Sequence, residues 1–428
     1  MTAGTQTRLA IEGGSRAVTL RHSPWPITTD WEVARMEDVV RTGAWSWVGQ
    51  HETTFCHDFA QFLGCSHCLC LCNGTVTIQM ALQAVGVKPG DEVIVPGITW
   101  PATLQAALDV GANVVIADVD PETMCLDPQA VADAITPRTR ALLPVQLYGC
   151  MCDMDALMVL ARAHNLRVVE DVAHQHGSVW RGQSAGTIGD AGSFSFQRSK
   201  TLTSGEGGAI ACNDEGVYQR AFALKHVGWA PGAPMTAANL YGHNYRITEM
   251  QCVLLRGGLS RLPEQIAIRE ENALRFAAGL KELGGPLQAA RRDPRVTRQA
   301  YYAVTLHFDP EKAGGLTREQ YSKALAAEGV GVGDPYDPVY ASPLLNLADS
   351  TSPVPYRDPE WAEYYAGLRL PETEKAARVT GTTLPHPHLL AEPAYIDQLV
   401  LAVRKVDDNL TRVQRYYADR PTEKRDTR

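Results

Sequence analysis

Residues 193–208, with the sequence S-F-S-F-Q-R-S-K-T-L-T-S-G-E-G-G, bring together side chains that can do covalent chemistry. An alternating strand pattern leads to Lys200, and a turn that contains three glycines and an acid follows. A lysine amine at the end of a rigid element can form a Schiff base with pyridoxal phosphate (PLP) and later move protons. A single lysine after a strand is usually a solvated side chain, so this prediction depends on the residues that accompany Lys200.

An acid, hydrogen-bond donors and an indole accompany the lysine. Asp171 ends an apolar strand, at the sheet edge where open α/β sheets bind ligands, and its carboxylate can keep a pyridine nitrogen protonated. An acid at a strand end is as often only a helix cap. Gly74 and Thr75 follow another strand and open a helix, so their N–H groups favour a phosphate, and Ser195 offers a hydroxyl. Trp100 can stack on a cofactor ring, although a Trp there is as often core packing.

Short β-branched runs alternate with helical stretches from about residue 31 to 260, which is typical of a mostly parallel sheet wrapped by helices. The pattern predicts an α/β fold whose strand ends would carry the residues described above. The predicted strands are residues 67–72, 93–96, 113–119, 141–147, 166–172, 192–196 and 208–212, with helices at about 75–86, 100–109, 128–135 and 153–164.

The pattern changes after about residue 263. A long helix at about 264–284 precedes a second unit, with a strand at 301–308, a helix at 317–328, a loop rich in Pro, Gly and Tyr at 332–355, and helices near 359–367 and 393–416. The sequence therefore predicts an N-terminal segment (1–30), a large domain (31–262), a smaller C-terminal α/β domain that closes over it (263–418) and a charged, disordered tail (419–428).

Composition excludes several classes of protein. The net charge is -8 and the charges are interspersed, which argues against a nucleic-acid surface. No apolar run approaches the roughly 20 residues of a membrane helix, and the N-terminus lacks the apolar core of a signal peptide. The sequence predicts a cytoplasmic protein with no membrane partner.

A cluster of four cysteines, Cys65, Cys68, Cys70 and Cys72, begins with a C-x-x-C spacing that also occurs in metal sites. The last three alternate with leucines, which is a strand pattern, so we interpret them as small apolar side chains on one buried face. The site prediction therefore includes no metal, and disulfides are not expected in a reducing compartment. A metal-binding protein built on this cluster stays open as an alternative.

The ordered set of motifs resembles the fold-type-I aminotransferases of the DegT/DnrJ/EryC1/StrS family over about residues 20–405. The motifs are N-G-T, V-P-G-I-T-W, V-E-D-V-A-H-Q-H-G, the lysine segment and G-H-N-Y-R-I-T-E-M-Q. The resemblance implies that Lys200 is the Schiff-base lysine, Asp171 the partner of the pyridinium nitrogen and Trp100 the stacking residue. It further implies that Gly74, Thr75 and Ser195 bind the phosphate. Asn244 would reach the phosphate of the neighbouring subunit in a homodimer with shared active sites.

One position departs from the usual family pattern. Where many members have a glutamine near the phenolic oxygen of the cofactor, this sequence has His174. An imidazole there can donate a hydrogen bond to the phenolate or carry charge near neutral pH, and it can also be a satisfied structural histidine in a tight turn. His176 is interpreted as structural.

Within the family, the chain is most similar to the glutamine-dependent cyclitol branch of aminoglycoside antibiotic pathways. The residues that carry this likeness are T-W, K-T-L-T-S-G-E-G-G, R-Q-A-Y-Y, F-D-P-E-K-A-G-G-L and H-L-L-A-E-P. The resemblance implies transamination from L-glutamine to a keto-cyclitol, scyllo-inosose or 2-deoxy-scyllo-inosose. Tyr301, His386 and His388 are the candidate substrate residues. The alternatives are a sugar-nucleotide or aminohydroxybenzoate-type enzyme and, from another class, a non-catalytic PLP-binding regulator.

Overall fold

The computed structural model describes residues 8–47, 49–229, 240–345 and 359–418. The predicted tail at 419–428 and part of the predicted loop at 332–355 lie outside these ranges. The strands are β1 (His67–Leu71), β2 (Glu92–Pro96), β3 (Asn113–Ala117), β4 (Thr139–Leu142), β5 (Arg167–Asp171), β6 (Val179–Trp180), β7 (Gln183–Ser184), β8 (Ala191–Ser195), β9 (Gly208–Cys212), β10 (Leu287–Ala289), β11 (Val296–Arg298), β12 (Ala303–Phe308) and β13 (Gly381–Pro385).

The α-helices surround these strands in chain order. They are α1 (Asp30–Thr42), α2 (Gln50–Leu63), α3 (Gly74–Ala84), α4 (Pro101–Asp109), α5 (Pro128–Ala134), α6 (Met154–His164), α7 (Glu215–Lys225), α8 (Glu249–Leu283), α9 (Arg318–Glu328), α10 (Pro359–Gly367), α11 (Pro371–Lys375), α12 (His386–Leu389), α13 (Pro393–Asp407) and α14 (Leu410–Ala418). No helix in the described part of the chain has both the length and the apolar character to cross a membrane.

The large domain is built on a seven-stranded sheet in the order β1-β9-β8-β5-β4-β2-β3. Pairing is parallel throughout except at β9, which is antiparallel to both of its neighbours. The sheet is buried on both faces by helices, as parallel sheets require, because its near-continuous apolar strands have no polar side to present to water. The predicted α/β fold with a mostly parallel sheet is therefore confirmed.

Alternation along β1 separates its side chains between the two faces of this sheet. Cys68 and Cys70 pack into the core cluster that contains α2, whereas Leu69 and Leu71 pack on the opposite side against α3. Cys68 and Cys70 are therefore buried apolar side chains on one face of a strand, as predicted. The prediction is wrong for Cys72, which follows the end of β1, is half-buried and packs against the opposite cluster. All ten cysteines are free thiols, and burial raises the pKa of the Cys70 thiol. Within the described residues, no group of three His, Cys, Asp or Glu side chains is arranged to hold a metal ion.

The small domain contains an antiparallel sheet in the order β10-β12-β13, covered by α9, α13 and α14. Helix α8 runs without a break from the large domain into this core, so the predicted boundary at 262/263 falls inside a helix. Two other segments also differ from the predicted domain division. Leu9 and Val18, from the predicted N-terminal segment, pack into the small-domain core. Trp361 and Tyr365 of α10 pack against the large domain, where the Tyr365 hydroxyl donates to the carbonyl of Val114 over 2.9 Å.

Candidate active site

A cavity of about 640 Å³ opens at the carboxyl edge of the large sheet, where β1, β5 and β8 end. Seven of the predicted site residues line it, which are Gly74, Thr75, Trp100, Asp171, His174, Ser195 and Lys200. The other lining residues used below are Asn73, Thr99, Thr103, Gln197, Ser199, Glu206, Tyr302 and Tyr336. This is the position at which open α/β sheets bind ligands, because crossover connections leave a crevice there.

Lys200 is buried at the bottom of this cavity, in a turn closed by its own N–H donating to the carbonyl of Gln197 over 2.8 Å. Its Nζ lies 4.8 Å from the ring centroid of Tyr302. Burial lowers the pKa of the amine to about 8, against an opposing effect of the Asp171 carboxylate, which favours the charged form. The amine therefore spends part of its time neutral near physiological pH, as a nucleophile or proton carrier must.

Asp171 ends β5 and is a buried residue of the same cavity. Its Oδ2 accepts from the hydroxyl of Thr103 over 2.9 Å, its Oδ1 accepts from the N–H of Ala173 over 3.1 Å, and the Thr103 hydroxyl lies 2.8 Å from that of Thr99. Desolvation raises the pKa of the carboxyl group even so. A cationic ligand nitrogen beside it would supply the charge that offsets this desolvation.

The turn between β1 and α3 forms an anion-binding corner. Asn73 is the N-cap of α3, and its Oδ1 accepts from the N–H of Val76 over 3.0 Å. Gly74 passes so close to β8 that a Cβ at this position would lie 2.6 Å from the Cβ of Ser195. The backbone N–H groups at the start of a helix, with the Thr75 and Ser195 hydroxyls nearby, favour a phosphate.

His174 is a buried neutral imidazole. Its Nδ1 accepts from the backbone N–H of Tyr148 over 3.2 Å, so the proton of the neutral ring is on Nε2. The ring stacks on that of Tyr302 with centroids 3.9 Å apart, and its Nε2 lies 3.4 Å from the Tyr336 hydroxyl. Desolvation, then the charge of Lys200, hold its pKa well below the usual value. The low pKa argues against the charge-carrying role. The partners at both ring nitrogens are compatible with a hydrogen-bond donor and with a structural histidine, so these two roles stay open.

His176 has its nitrogens occupied by protein partners. Its Nε2 donates to the carbonyl of Ser195 over 2.9 Å, and its Nδ1 lies 3.2 Å from the Thr201 hydroxyl. These contacts support the structural interpretation made from the sequence.

Trp100 and Asn244 occupy different surroundings. Trp100 is the N-cap residue of α4, and it lines the cavity with 59% of its surface exposed, so it is not core packing.

Asn244 is exposed and does not line the cavity, and its backbone pairs with that of His226. This placement leaves Asn244 available to a second copy of the chain.

The three candidate substrate residues do not line the cavity. Tyr301 points to the other side of its segment, against Gly149 and into a separate cleft between the domains. His386 lies behind the lysine turn, where its Nε2 donates to the carbonyl of Ser199 over 2.9 Å. His388 pairs through Nδ1 with the Tyr395 hydroxyl, 2.6 Å away. We therefore correct these assignments: the adjacent Tyr302, rather than Tyr301, faces the cavity.

Sequence reasoning missed Tyr302, Tyr336, Gln197 and Glu206 as cavity residues. Tyr302 is the residue just before β12. The alternation of a strand, which tells which side chains point to each face of the sheet, therefore does not extend to it. Tyr336 lies in an irregular loop that has no periodicity to read. Gln197 and Glu206 are part of the quoted lysine segment, and their position beside Lys200 was the available signal.

A buried lysine and a buried carboxylate share one cavity with a helix N-terminus on an α/β sheet. This set of groups is typical of a PLP-binding enzyme, because the three can serve the cofactor's aldehyde, ring nitrogen and phosphate. The chain belongs to the DegT/DnrJ/EryC1/StrS aminotransferase family, which it matches over residues 26–377. It is a PLP-dependent aminotransferase, as the sequence predicted.

Individual relatives cover nearly the whole chain. A protein of Streptoalloteichus tenebrarius, provisionally named L-glutamine:3-amino-2,3-dideoxy-scyllo-inosose aminotransferase, is 38% identical over 94% of this chain and 99% of its own. The L-glutamine:2-deoxy-scyllo-inosose aminotransferase of Micromonospora echinospora is 35% identical over 94% and 98%. Among solved structures, 3-amino-5-hydroxybenzoic acid (AHBA) synthase superposes with a TM-score of 0.80 at 31% identity, covering 92% of this chain and 99% of that chain.

Proposed function

We propose that this enzyme transfers the α-amino group of L-glutamine to a keto-cyclitol of the scyllo-inosose type, in aminoglycoside antibiotic biosynthesis. The observation that carries the proposal is the cavity itself, which Lys200 and Asp171 line together with the aromatic side chains of Trp100, Tyr302 and Tyr336. The names of the relatives described above support the choice of donor and acceptor.

PLP, when bound, supplies an electron sink that stabilises the carbanion formed when an α-proton leaves the amino acid. The residues of the chain do the rest. Asp171 would keep the ring nitrogen protonated, while the helix N-terminus at Gly74 and Thr75, with Ser195, would hold the phosphate. Lys200 would hold the cofactor and, once released, would move the proton from the α-carbon of the amino donor to the former aldehyde carbon of the cofactor, a task that suits an amine with a pKa of about 8.

The cavity walls suit a polyhydroxylated ring. The aromatic rings of Trp100 and Tyr336 can pack against the C–H faces of a cyclitol, and Gln197, Ser199 and Glu206 offer polar groups to its hydroxyls. The Ser199 hydroxyl also lies 3.0 Å from that of Tyr302, so these two are already oriented toward each other. Sugar recognition commonly needs this combination of apolar faces and hydrogen-bonding groups.

Lys200→Ala tests the cofactor assignment. The purified wild-type protein should show a PLP-type absorbance band that borohydride converts to a stable adduct, and the variant should form no reduced adduct. Absence of the band in the wild-type, or an unchanged adduct in the variant, would contradict the assignment.

A second assay names the acceptor. L-Glutamine is supplied with scyllo-inosose, its 2-deoxy form or the 3-amino-2,3-dideoxy form, and a nucleotide-linked keto-sugar and an aminohydroxybenzoate precursor serve as comparison substrates. The proposal expects amination of one or more cyclitols only. Amination of a comparison substrate alone would overturn it in favour of a sugar-nucleotide or AHBA-type enzyme. No turnover of any substrate, with PLP bound, would favour the non-catalytic regulator.

A further inference from the structure

A short segment of the small domain, residues 333–339, contributes Tyr336 to the lining of the active-site cavity, and we call it the strap. At its start, Gly333 pairs with Thr383 of β13 through two backbone hydrogen bonds of 2.8 and 2.9 Å. At its end, the N–H of Val339 donates to the carbonyl of Gly97, just after β2, over 2.8 Å. The strap is therefore fixed to the small domain at one end and to the large domain at the other.

Tyr336 lies in the middle of the strap, and Tyr148 holds its backbone. The N–H of Tyr336 donates to the Tyr148 hydroxyl over 2.7 Å. Tyr148 is itself fixed in the large domain, because its carbonyl accepts from the Gln175 side chain over 2.8 Å and its N–H donates to His174. It also has a left-handed backbone with a φ of 51°, which is costly for a bulky residue and indicates that its surroundings hold it there.

The side chain of Tyr336 extends from this anchor into the cavity. Its ring centroid lies 5.7 Å from that of Trp100, and its hydroxyl oxygen faces the Nε2 of His174. Because His174 carries its proton on Nε2, the imidazole is the donor in this contact and the Tyr336 oxygen is the acceptor. Among the described residues, no group accepts from the O–H of Tyr336, so this O–H can donate to a ligand. Burial, which raises the pKa of Tyr336, keeps it protonated.

We propose that Tyr336 is a specificity-determining residue for the acceptor, whose hydroxyl donates a hydrogen bond to an oxygen of the polyhydroxylated ketone, and that Tyr148 is the positioning residue that holds it there. This inference rests on the proposed function. A site that is built to pair with a substrate hydroxyl discriminates strongly against an analogue without it, because a buried polar group is then left unpaired.

Tyr336→Phe removes only the hydroxyl. Half-reactions followed by single-turnover absorbance should show the L-glutamine half within about twofold of wild-type, while kcat/KM for the keto-cyclitol falls on the order of tenfold, the loss expected for one neutral hydrogen bond of about 1.4 kcal/mol. Calorimetry of aminocyclitol product binding should give a similar increase in Kd. Tyr148→Phe should raise KM for the ketone and affect kcat less, because this substitution releases the strap but keeps the Tyr336 hydroxyl.

Tyr340→Phe is the matched control. Tyr340 follows the strap, and its hydroxyl donates to Glu374 over 2.7 Å, outside the cavity. The Tyr340→Phe variant should have unchanged rates in both half-reactions and unchanged affinity for the product. Equal losses in both half-reactions of Tyr336→Phe, or no change in ketone kinetics and product affinity, would overturn the inference. If wild-type enzyme aminates no keto-cyclitol, the proposed function fails; if it does so and Tyr336→Phe matches it, only this inference fails.

Discussion

At the scale of single residues, the amine of Lys200 is governed by two opposing influences. Burial favours its neutral form, and the Asp171 carboxylate favours its charged form. The first is larger, so the pKa falls to about 8 rather than rising. Attack on an aldehyde needs the neutral amine, which makes cofactor capture a direct measure of this balance.

The rate of PLP capture by cofactor-free enzyme should therefore depend on pH with a midpoint near 8. Below about 8 the rate should fall roughly tenfold per pH unit as the amine becomes protonated, and above it the rate should level off. Absorbance after rapid mixing measures it. Asp171→Asn should move the midpoint to lower pH, because it removes the charge that favours the protonated amine. A midpoint near that of an exposed lysine would contradict the burial argument.

Gly74 is needed for the close approach of two elements rather than for backbone freedom, since its φ is not in the left-handed region. Gly74→Ala places a Cβ against Ser195 and should push the phosphate corner open, weakening PLP affinity on the order of tenfold, about 1.4 kcal/mol. Equilibrium binding of PLP measures it. Gly367→Ala, where the added Cβ meets no described residue within 4 Å, is the control and should bind PLP normally.

The sequence was sufficient to predict cavity residues that lie at or just after the end of a strand. Lys200 and Asp171 follow from the order of apolar runs and the rule that ligands bind at the carboxyl edge. It failed for Tyr301, because the choice between two adjacent tyrosines depends on which way a non-strand residue turns. It could not find Tyr336 either, because the contact depends on Tyr148, which is 188 positions away along the chain.

At the scale of elements, α3 does more than cover the sheet. Its first turn lines the cavity, and Asn73 accepts from the N–H of Val76, while the N–H groups of Gly74 and Thr75 have no acceptor among the described residues. A cap that fixes the start of this helix also fixes the direction of the N–H groups that would hold a phosphate.

Asn73→Ala should therefore cost about 1 kcal/mol of unfolding free energy and also weaken PLP binding. Asp127→Ala is the matched control, because Asp127 caps α5 by accepting from Gln129 and Ala130 and does not line the cavity. It should cost a similar free energy without changing PLP affinity. Denaturant unfolding and PLP titration measure the two effects. If both variants bind PLP with equal affinity, the N-terminus of α3 does not contribute to phosphate binding.

Element bounds were predicted best where alternation or a buried run is strong. The strands of the large sheet were placed to within a few residues, although β4 ends at Leu142, where the prediction continued to residue 147. Helices α1, α2 and α7 and strand β13 were not predicted. The pairing of β13 is decided by β12, its neighbour in the sheet but far away in sequence, which a local pattern does not contain.

At the scale of the whole molecule, the exposed position of Asn244 outside its own cavity supports the proposal of a homodimer with shared active sites. Isologous two-fold pairing, which is the commonest form of oligomer, would let each copy supply this side chain to the other.

Hybrid dimers test this arrangement. Lys200→Ala and Asn244→Ala chains, each impaired alone, are co-expressed with different tags. If Asn244 serves the neighbouring site, hybrids contain one intact site, and an equal mixture should recover up to about one quarter of wild-type activity, because half of the dimers are hybrids. Purification on both tags should enrich that activity. No recovery in dual-tagged dimers would place Asn244 in its own site or outside the mechanism.

Helix α8, which continues for 35 residues from one domain into the other, also fixes their relative angle. Each residue of an α-helix adds a rise of about 1.5 Å and a rotation of about 100°. Inserting one residue into α8 between the domains would therefore shift and rotate the small domain by these amounts. Tyr302 and Tyr336 would leave the cavity together. Small domains could therefore be exchanged between relatives only if the number of residues in this helix is kept. An insertion or deletion in the middle of the helix would inactivate the enzyme even where each domain remained well folded.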